Sequence, residues 1–213
     1  MNRRAFVIAL GLAPSAWRRL ARATPSDADL VRAIVQRLSQ GAGLRARFTQ
    51  KPTVAALNAP LTSRGDLLVA RDLGVVWRVT EPFRSVYVVG AQGVTELDPT
   101  DMRVRRSPRG TRAAAGATQA SAMARALANG DLSSLYAQFE VRTSGSPDRW
   151  SMLLVPDQPQ LKQVIGSVRL EGGAVLKSLC LNSPNGDVTL IELVDVSPFE
   201  RLSDSDRAWF EAR

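Results

Sequence analysis

The chain has no histidine. That absence removes Ser-His-Asp and Cys-His nucleophile pairs outright, along with most catalytic zinc sites, which favour imidazole. Its one cysteine is Cys180, so no disulfide can form within the chain, even in an oxidising compartment. Leu179 and Leu181 flank it and predict a half-buried thiol on a strand rather than a reactive one. Lysines are few (Lys51, Lys162, Lys177), and none follows a serine at the spacing of a Ser-x-x-Lys nucleophile. Aromatics are sparse. No two carboxylates stand out as an acid/base couple, and no glycine-rich phosphate loop is present. Asp204, Asp206 and Glu211 read as the solvated face of a helix. No metal and no cofactor are expected, and the chain reads as a non-enzyme. Carboxylates alone can run a hydrolysis, which keeps an exported carboxylate-dependent hydrolase as the remote alternative.

What is present begins at the first residues. Arg3 and Arg4 precede an apolar run, Ala5 to Ala13, and Ala21-Arg22-Ala23 offers small residues at the two positions a signal peptidase reads. This pattern predicts an export signal over 1–23 and a single domain over 24–213. The apolar run is too short to span a bilayer, which takes ~20 such residues, and no later segment supplies that length. The product is therefore expected to be soluble, outside the cytoplasm. The adjacent arginines, with Phe6 two places on, are close to a twin-arginine signal, and Arg18, Arg19 and Arg22 beyond the apolar run hinder the general secretory route. Both routes stay open.

The formal net charge is +8, but five arginines and no acid fall within 1–23, leaving +3 on the remainder. A nucleic-acid partner is not expected from so small an excess on an exported chain. The residual charge suits an anionic membrane surface or an acidic partner.

Past the signal the pattern turns helical. Ser26 is placed to cap, and Leu30, Val31, Ile34, Val35 and Leu38 recur at helical spacing until Gly41 and Gly43. The period then changes to two. Leu44, Ala46 and Phe48 alternate with polar residues, and a connection follows from Lys51 to Leu61. Leu67, Val69 and Arg71 share a face, Asp72-Leu73-Gly74 turns the chain, and Val75, Trp77 and Val79 face the same way up to Pro82. Ser85–Val89 and Val94–Asp98 form the next hairpin, and Met102–Arg106 reads as a further strand. An alanine-rich stretch, 113–129, reads as one or two short helices, and Asp131–Ala137 as a capped helical turn. Strands resume at 139–143, 150–155, 168–170, 175–181 and 188–194, and a short helix capped by Ser203 ends the chain. The predicted fold is α+β and mainly β. It is one strongly curved antiparallel sheet, a half-open barrel, with an N-terminal helix and a mid-chain helical insert as lid.

Three stretches are similar to a known family. They are Ala46-Arg47-Phe48-Thr49-Gln50, then Gly65 to Arg71, then Trp77-Arg78-Val79-Thr80-Glu81-Pro82. The sequence resembles the LolA-type outer-membrane lipoprotein carriers, which show a Phe-x-Gln after the first helix, a Gly-initiated strand ending in Arg, and a Trp and a Pro beyond. Leu153-Val155-Pro156 and Asn185-Gly186-Asp187 add to the likeness. Where many members have Pro after the Arg, this chain has Asp72. Where many have an aromatic two residues before the Trp, it has Val75.

The resemblance implies a half-open barrel whose apolar cavity shields the acyl chains of a lipoprotein, or a related lipid, crossing the periplasm towards the outer membrane. It implies an inner-membrane loading complex and an outer-membrane acceptor as partners, and the carrier itself is expected to be a monomer. A lipid-sensing regulatory module of the same fold is the alternative. The membrane-anchored acceptor of similar fold needs a lipidated cysteine just after its signal, which Cys180 does not supply. The family's arginine bonds lid carbonyls and holds the empty carrier closed, and Arg71 matches it. The family's tryptophan lines the cavity, and Trp77 matches it.

From the residues alone, Arg71 lies on an apolar face, where a guanidinium is costly unless hydrogen-bonded; snorkelling to solvent is the other outcome. Phe48, Leu67, Val69, Val75, Trp77, Val79, Trp150 and Met152 are the candidate cavity wall. A plain sheet-to-helix core would show the same pattern. The basic run 102–109 reads as a contact for anionic lipid or an acidic docking surface, or as a solvated strand and turn.

Overall fold

A computed structural model describes residues 27–53, 62–90, 93–106, 123, 126–127 and 129–211. The export segment 1–23, the cap at Ser26 and most of the alanine-rich stretch lie outside the described residues. Eleven strands form one antiparallel sheet, not closed into a barrel: β1 Gly43–Thr53, β2 Ser63–Ala70, β3 Gly74–Glu81, β4 Ser85–Gly90, β5 Gly93–Leu97, β6 Val104–Arg106, β7 Phe139–Ser146, β8 Arg149–Pro156, β9 Ser167–Gly172, β10 Leu176–Asn182 and β11 Val188–Phe199. Their spatial order is β6-β5-β4-β3-β2-β1-β11-β10-β9-β8-β7. The chain therefore builds two meanders, joined where the first and last strands pair. Four helices are bounded among the described residues: α1 Asp27–Leu38, α2 Leu132–Tyr136, α3 Pro159–Lys162 and α4 Asp204–Glu211.

The inner face of the sheet carries two apolar clusters that meet at Leu176 and Leu179. The first lies over β7–β9. There α1 buries Leu30, Val31, Ile34 and Val35 against Trp150, Met152, Leu154, Val168 and Leu170, with Met123, Leu127 and Leu135 from the mid-chain. Burying each large aliphatic side chain contributes ~1.5–3 kcal/mol. Both ends of α1 are also tied to the second meander. Thr143 Oγ1 donates to the Asp27 carbonyl (3.2 Å), and Arg37 donates to the Pro147 carbonyl (2.6 Å) and to Asp148 (3.1 Å). The second cluster is Ala46, Phe48, Leu67, Val69, Val75 and Leu193, under β1–β3 and β11.

On the outer face, Leu68, Val76, Val86, Val88 and Leu97 are covered by Phe199, Leu202, Trp209 and Phe210 of the C-terminal segment. There the Ser203 Oγ accepts from the Asp206 N–H (3.2 Å), the cap expected from sequence. Asp206 also accepts from Arg45 and from the Ser203 hydroxyl. Asp131 caps α2 by accepting from the Ser134 N–H at 2.9 Å.

Several boundaries depart from the sequence reading. β1 continues through Pro52 to Thr53 instead of ending before Lys51. Beyond Gln50 it pairs with β11 alone, so proline's missing N–H need not interrupt a ladder on its other side. β11 runs on through a bulge at Asp195 (φ 53°) to Phe199, well past Val194. The one-turn helix α3, with Pro159 in its first turn, has no counterpart in the sequence reading. The expected strand from Met102 is only Val104–Arg106.

Candidate functional site

Alternation fixes which side chains of the first meander face inwards. Gln50 on β1, Ser63 on β2, Val75, Trp77 and Val79 on β3, and Ser85, Tyr87 and Val89 on β4 point to the same side as the α1 core. With Pro82 and Phe83 they line an open groove of about 460 Å3. The register supports this directly: Trp77 stands opposite Leu67 and Tyr87, and Val79 opposite Gly65 and Ser85. The floor is aliphatic and aromatic. Gln50 and Ser63 sit where the β1–β2 pairing ends, and Ser85 sits where β4 begins. No ionised side chain is among these lining residues.

Phe48 explains why Trp77 stands as it does. Phe48 is only 2 % exposed, and its ring lies 4.1 Å from that of Trp77 at 34°. It fits because residue 65 is glycine. A Cβ there would approach the Arg78 carbonyl oxygen to 1.9 Å and Phe48 Cε1 to 3.0 Å. The β2–β3 turn depends on a second glycine, Gly74, at φ 133°.

The candidate wall residues therefore divide. Val75, Trp77 and Val79 line the groove. Phe48, Leu67 and Val69 lie in the packed layer adjoining it. Trp150 and Met152 do not line it: they are 3 % and 0 % exposed in the core beneath α1. The Trp150 indole Nε1 there donates to the Gly173 carbonyl at 2.9 Å. Strand parity gave all eight the same inward side, and helix α1, covering only the second meander, separates core from groove. Sequence reasoning missed Gln50, Ser63, Pro82, Phe83, Ser85, Tyr87 and Val89. The alternation of 85, 87 and 89 was visible and was the signal that could have found three of them.

Arg71 closes β2 at the turn, where its backbone N–H donates to the Ala42 carbonyl at 3.0 Å. Its Nε is buried without an acceptor. The lid carbonyls expected to receive it are not found among the described residues.

Cations beside the groove strands face the outer side and are paired. Arg78 meets Asp66 (2.7 Å), Arg64 meets Glu81 (3.1 Å) and Lys51 meets Glu192 (2.7 Å). A second, outer-face groove of about 350 Å3 beside Trp209 is lined by Arg45, Arg47 and Arg78 with Asp206, Asp195 and Asp66, so its charge balances pair by pair. In the basic run, Arg103 and Arg105 meet Asp101 and Asp98, and the residues from Ser107 to Arg109 lie outside the described ones. Asp98 is held below the usual carboxylate range, first by the Thr100 N–H and then by Arg105, against some desolvation. Cys180 is half-buried on β10. Among the described residues no group of three or more His, Cys, Asp or Glu is placed to hold a metal ion. Nor is any helix long and apolar enough to cross a membrane.

An open antiparallel sheet with one helix-filled half and one apolar groove defines a binding fold. The family described as outer membrane lipoprotein carrier protein LolA-like matches residues 21–193, and the chain belongs to it. Among solved structures it is similar to the LolA superfamily protein NE2245 from Nitrosomonas europaea, at 11 % identity over 85 % of this chain and 97 % of that one, with a TM-score of 0.46. It is also similar to a chain of the MucA/MucB complex of Pseudomonas aeruginosa (10 % identity, 84 % of this chain, 59 % of that one, TM-score 0.43). LprF from Mycobacterium bovis gives 11 % identity over 78 % of this chain and 92 % of that one, with a TM-score of 0.37. No curated protein matches the sequence.

Proposed function

We propose that this protein is a periplasmic carrier. It shields the acyl chains of a lipoprotein or related lipid in the groove between β1 and β4 and delivers them towards the outer membrane. The observation that carries the proposal is the groove itself: about 460 Å3, apolar along its floor, with neutral polar groups at one end. A site of that size and lining suits a hydrocarbon chain whose uncharged linkage stays at the rim. The chemistry is transfer by differential burial, without catalysis. Each methylene moved from water into the groove contributes ~0.8 kcal/mol. Release then needs a partner that holds the lipid better, or one that shifts the carrier towards an open state. An inner-membrane loading complex and an outer-membrane acceptor fill these roles in the proposal, and residues 1–23 direct the export.

Arg71 is assigned the closing role. A buried guanidinium nitrogen without an acceptor is costly, and a carbonyl from a covering segment would satisfy it.

The test is to purify the protein from the periplasm of a Gram-negative host, extract it, and analyse the lipid by mass spectrometry. Acyl lipid near one equivalent that passes to acceptor membranes is the expected result. A lipid-free protein that also takes up no lipid from loaded vesicles overturns the proposal. Stoichiometric lipid without transfer would favour the sensing module instead.

A further inference from the structure

The short β3–β4 connection carries the largest exposed hydrophobic exposure among the described residues: Phe83 is 78 % exposed. Isolated apolar side chains on a surface are ordinary. Phe83 is not isolated, because it shares the lining of the groove with Pro82, Val79 and Trp77. It therefore extends an apolar wall outwards into solvent, beside the neutral polar band of Ser63 and Ser85. Pro82, Phe83 and Arg84 are all exposed.

Arg84 supplies the second observation. The nearby Arg64 is paired with Glu81, whereas Arg84 meets no carboxylate among the described residues. A free guanidinium next to a protruding aromatic ring matches a surface that is anionic outside and apolar beneath. Aromatic rings favour the headgroup level of bilayers, and arginine is drawn to anionic lipid.

We propose that the Pro82-Phe83-Arg84 connection is a membrane-surface contact. Phe83 enters the interfacial layer of an anionic phospholipid bilayer, Arg84 meets its phosphates, and the groove mouth is held where an acyl chain leaves the membrane. The inference rests on the groove being the lipid site, and it adds the surface against which that site opens.

The test uses protein recovered from the periplasm and sedimented with vesicles of phosphatidylglycerol and phosphatidylethanolamine. A fluorescent acyl probe reports the groove separately. Phe83→Ser should lower vesicle binding about tenfold or more. Arg84→Gln, at a residue outside the groove lining, should lower it about fivefold on these vesicles while the probe still binds, and leave binding to phosphatidylcholine vesicles unchanged. Phe83→Trp should retain binding and gain emission quenched by brominated lipid, a readout that does not depend on the serine variant folding. Unaltered vesicle binding by Phe83→Ser, or no added quenching in Phe83→Trp, overturns the contact and leaves the groove standing. So does a requirement for Phe83 only towards a protein partner. Loss of probe binding by the wild-type protein would instead overturn the groove reading.

Discussion

Val79 and Met152 face the same side of one sheet, yet their roles should separate cleanly under substitution. Val79 is half-buried and lines the groove; Met152 is fully buried under α1. In Val79→Asp, water still reaches the new carboxylate, so folding should lose ~1 kcal/mol or less, within the ordinary range for point changes. An acyl chain laid along that wall must strip the water from it. Desolvating even an unpartnered polar group costs ~1–3 kcal/mol by mutational measures, and a charge more. With the lost contact of two methyl groups, the affinity for an acyl probe should fall about 100-fold. Met152→Ala does the opposite. It leaves a cavity in a packed core and should cost ~2–5 kcal/mol of stability, with native-state probe affinity changed less than about threefold. Denaturant melts give the first quantity for each variant, and fluorescent-probe titration in buffer gives the second. If Val79→Asp binds as wild type while Met152→Ala loses the probe, the binding volume lies under α1, and the division between core and groove is wrong.

Arg71→Leu should change the rate of lipid transfer to acceptor membranes; an unchanged rate would remove Arg71 from the mechanism. Gly65→Ala should cost ~1–3 kcal/mol, because the new Cβ meets a backbone carbonyl that cannot swing aside, and a thermal melt equal to wild type would contradict the close β2–β3 approach. Burial pushes the Asp206 carboxyl up, but the Ser203 hydroxyl and Arg45 outweigh it and leave it below its ordinary value. A lowered folded value means this contribution is complete above the unfolded carboxylate range of about 4 and is lost as pH falls through the folded value. Amides of α4 should therefore lose protection in acid, and Asp206→Asn should remove that dependence; an identical acid profile in both proteins would refute it.

Much of the fold was legible because period two survives through most of the strands. Leu67, Val69, Val75, Trp77 and Val79 announced their shared face, and Asp131 and Ser203 announced their helices by capping chemistry. The export-signal residues and the alanine-rich stretch could be named but not placed, since they fall outside the described residues. The site was legible only in half. Val75, Trp77 and Val79 were correctly separated from the outer face, but nothing local to Trp150 or Met152 says that α1 lies over them. That depends on which half of an eleven-stranded sheet one helix covers, a contact between residues more than a hundred positions apart, such as Arg37 with Asp148. Phe83 was unreadable for the reverse reason. An apolar residue after a proline looks like a strand boundary, and only its exposure in the folded chain distinguishes it.

The same asymmetry decides what can move when lipid enters. Displacing α1 would expose Leu30, Val31, Ile34 and Val35, a loss of about 6–12 kcal/mol at the usual value for each side chain. It would also break the ties of Arg37 and Thr143 to the second meander. An acyl chain gaining ~0.8 kcal/mol per methylene would need about 8–15 buried methylenes merely to offset the first term. Little would then remain to hold the cargo. A lipid that enters the groove beside β3 and β4 incurs none of this. Loading should therefore leave α1 in place, with amide exchange in Asp27–Leu38 unchanged between lipid-free and lipid-loaded protein. Protection should rise in β3 and β4 instead. Accelerated exchange along α1 on loading would show that the helix is the moving cover, and that the packed half of the sheet opens to receive its guest.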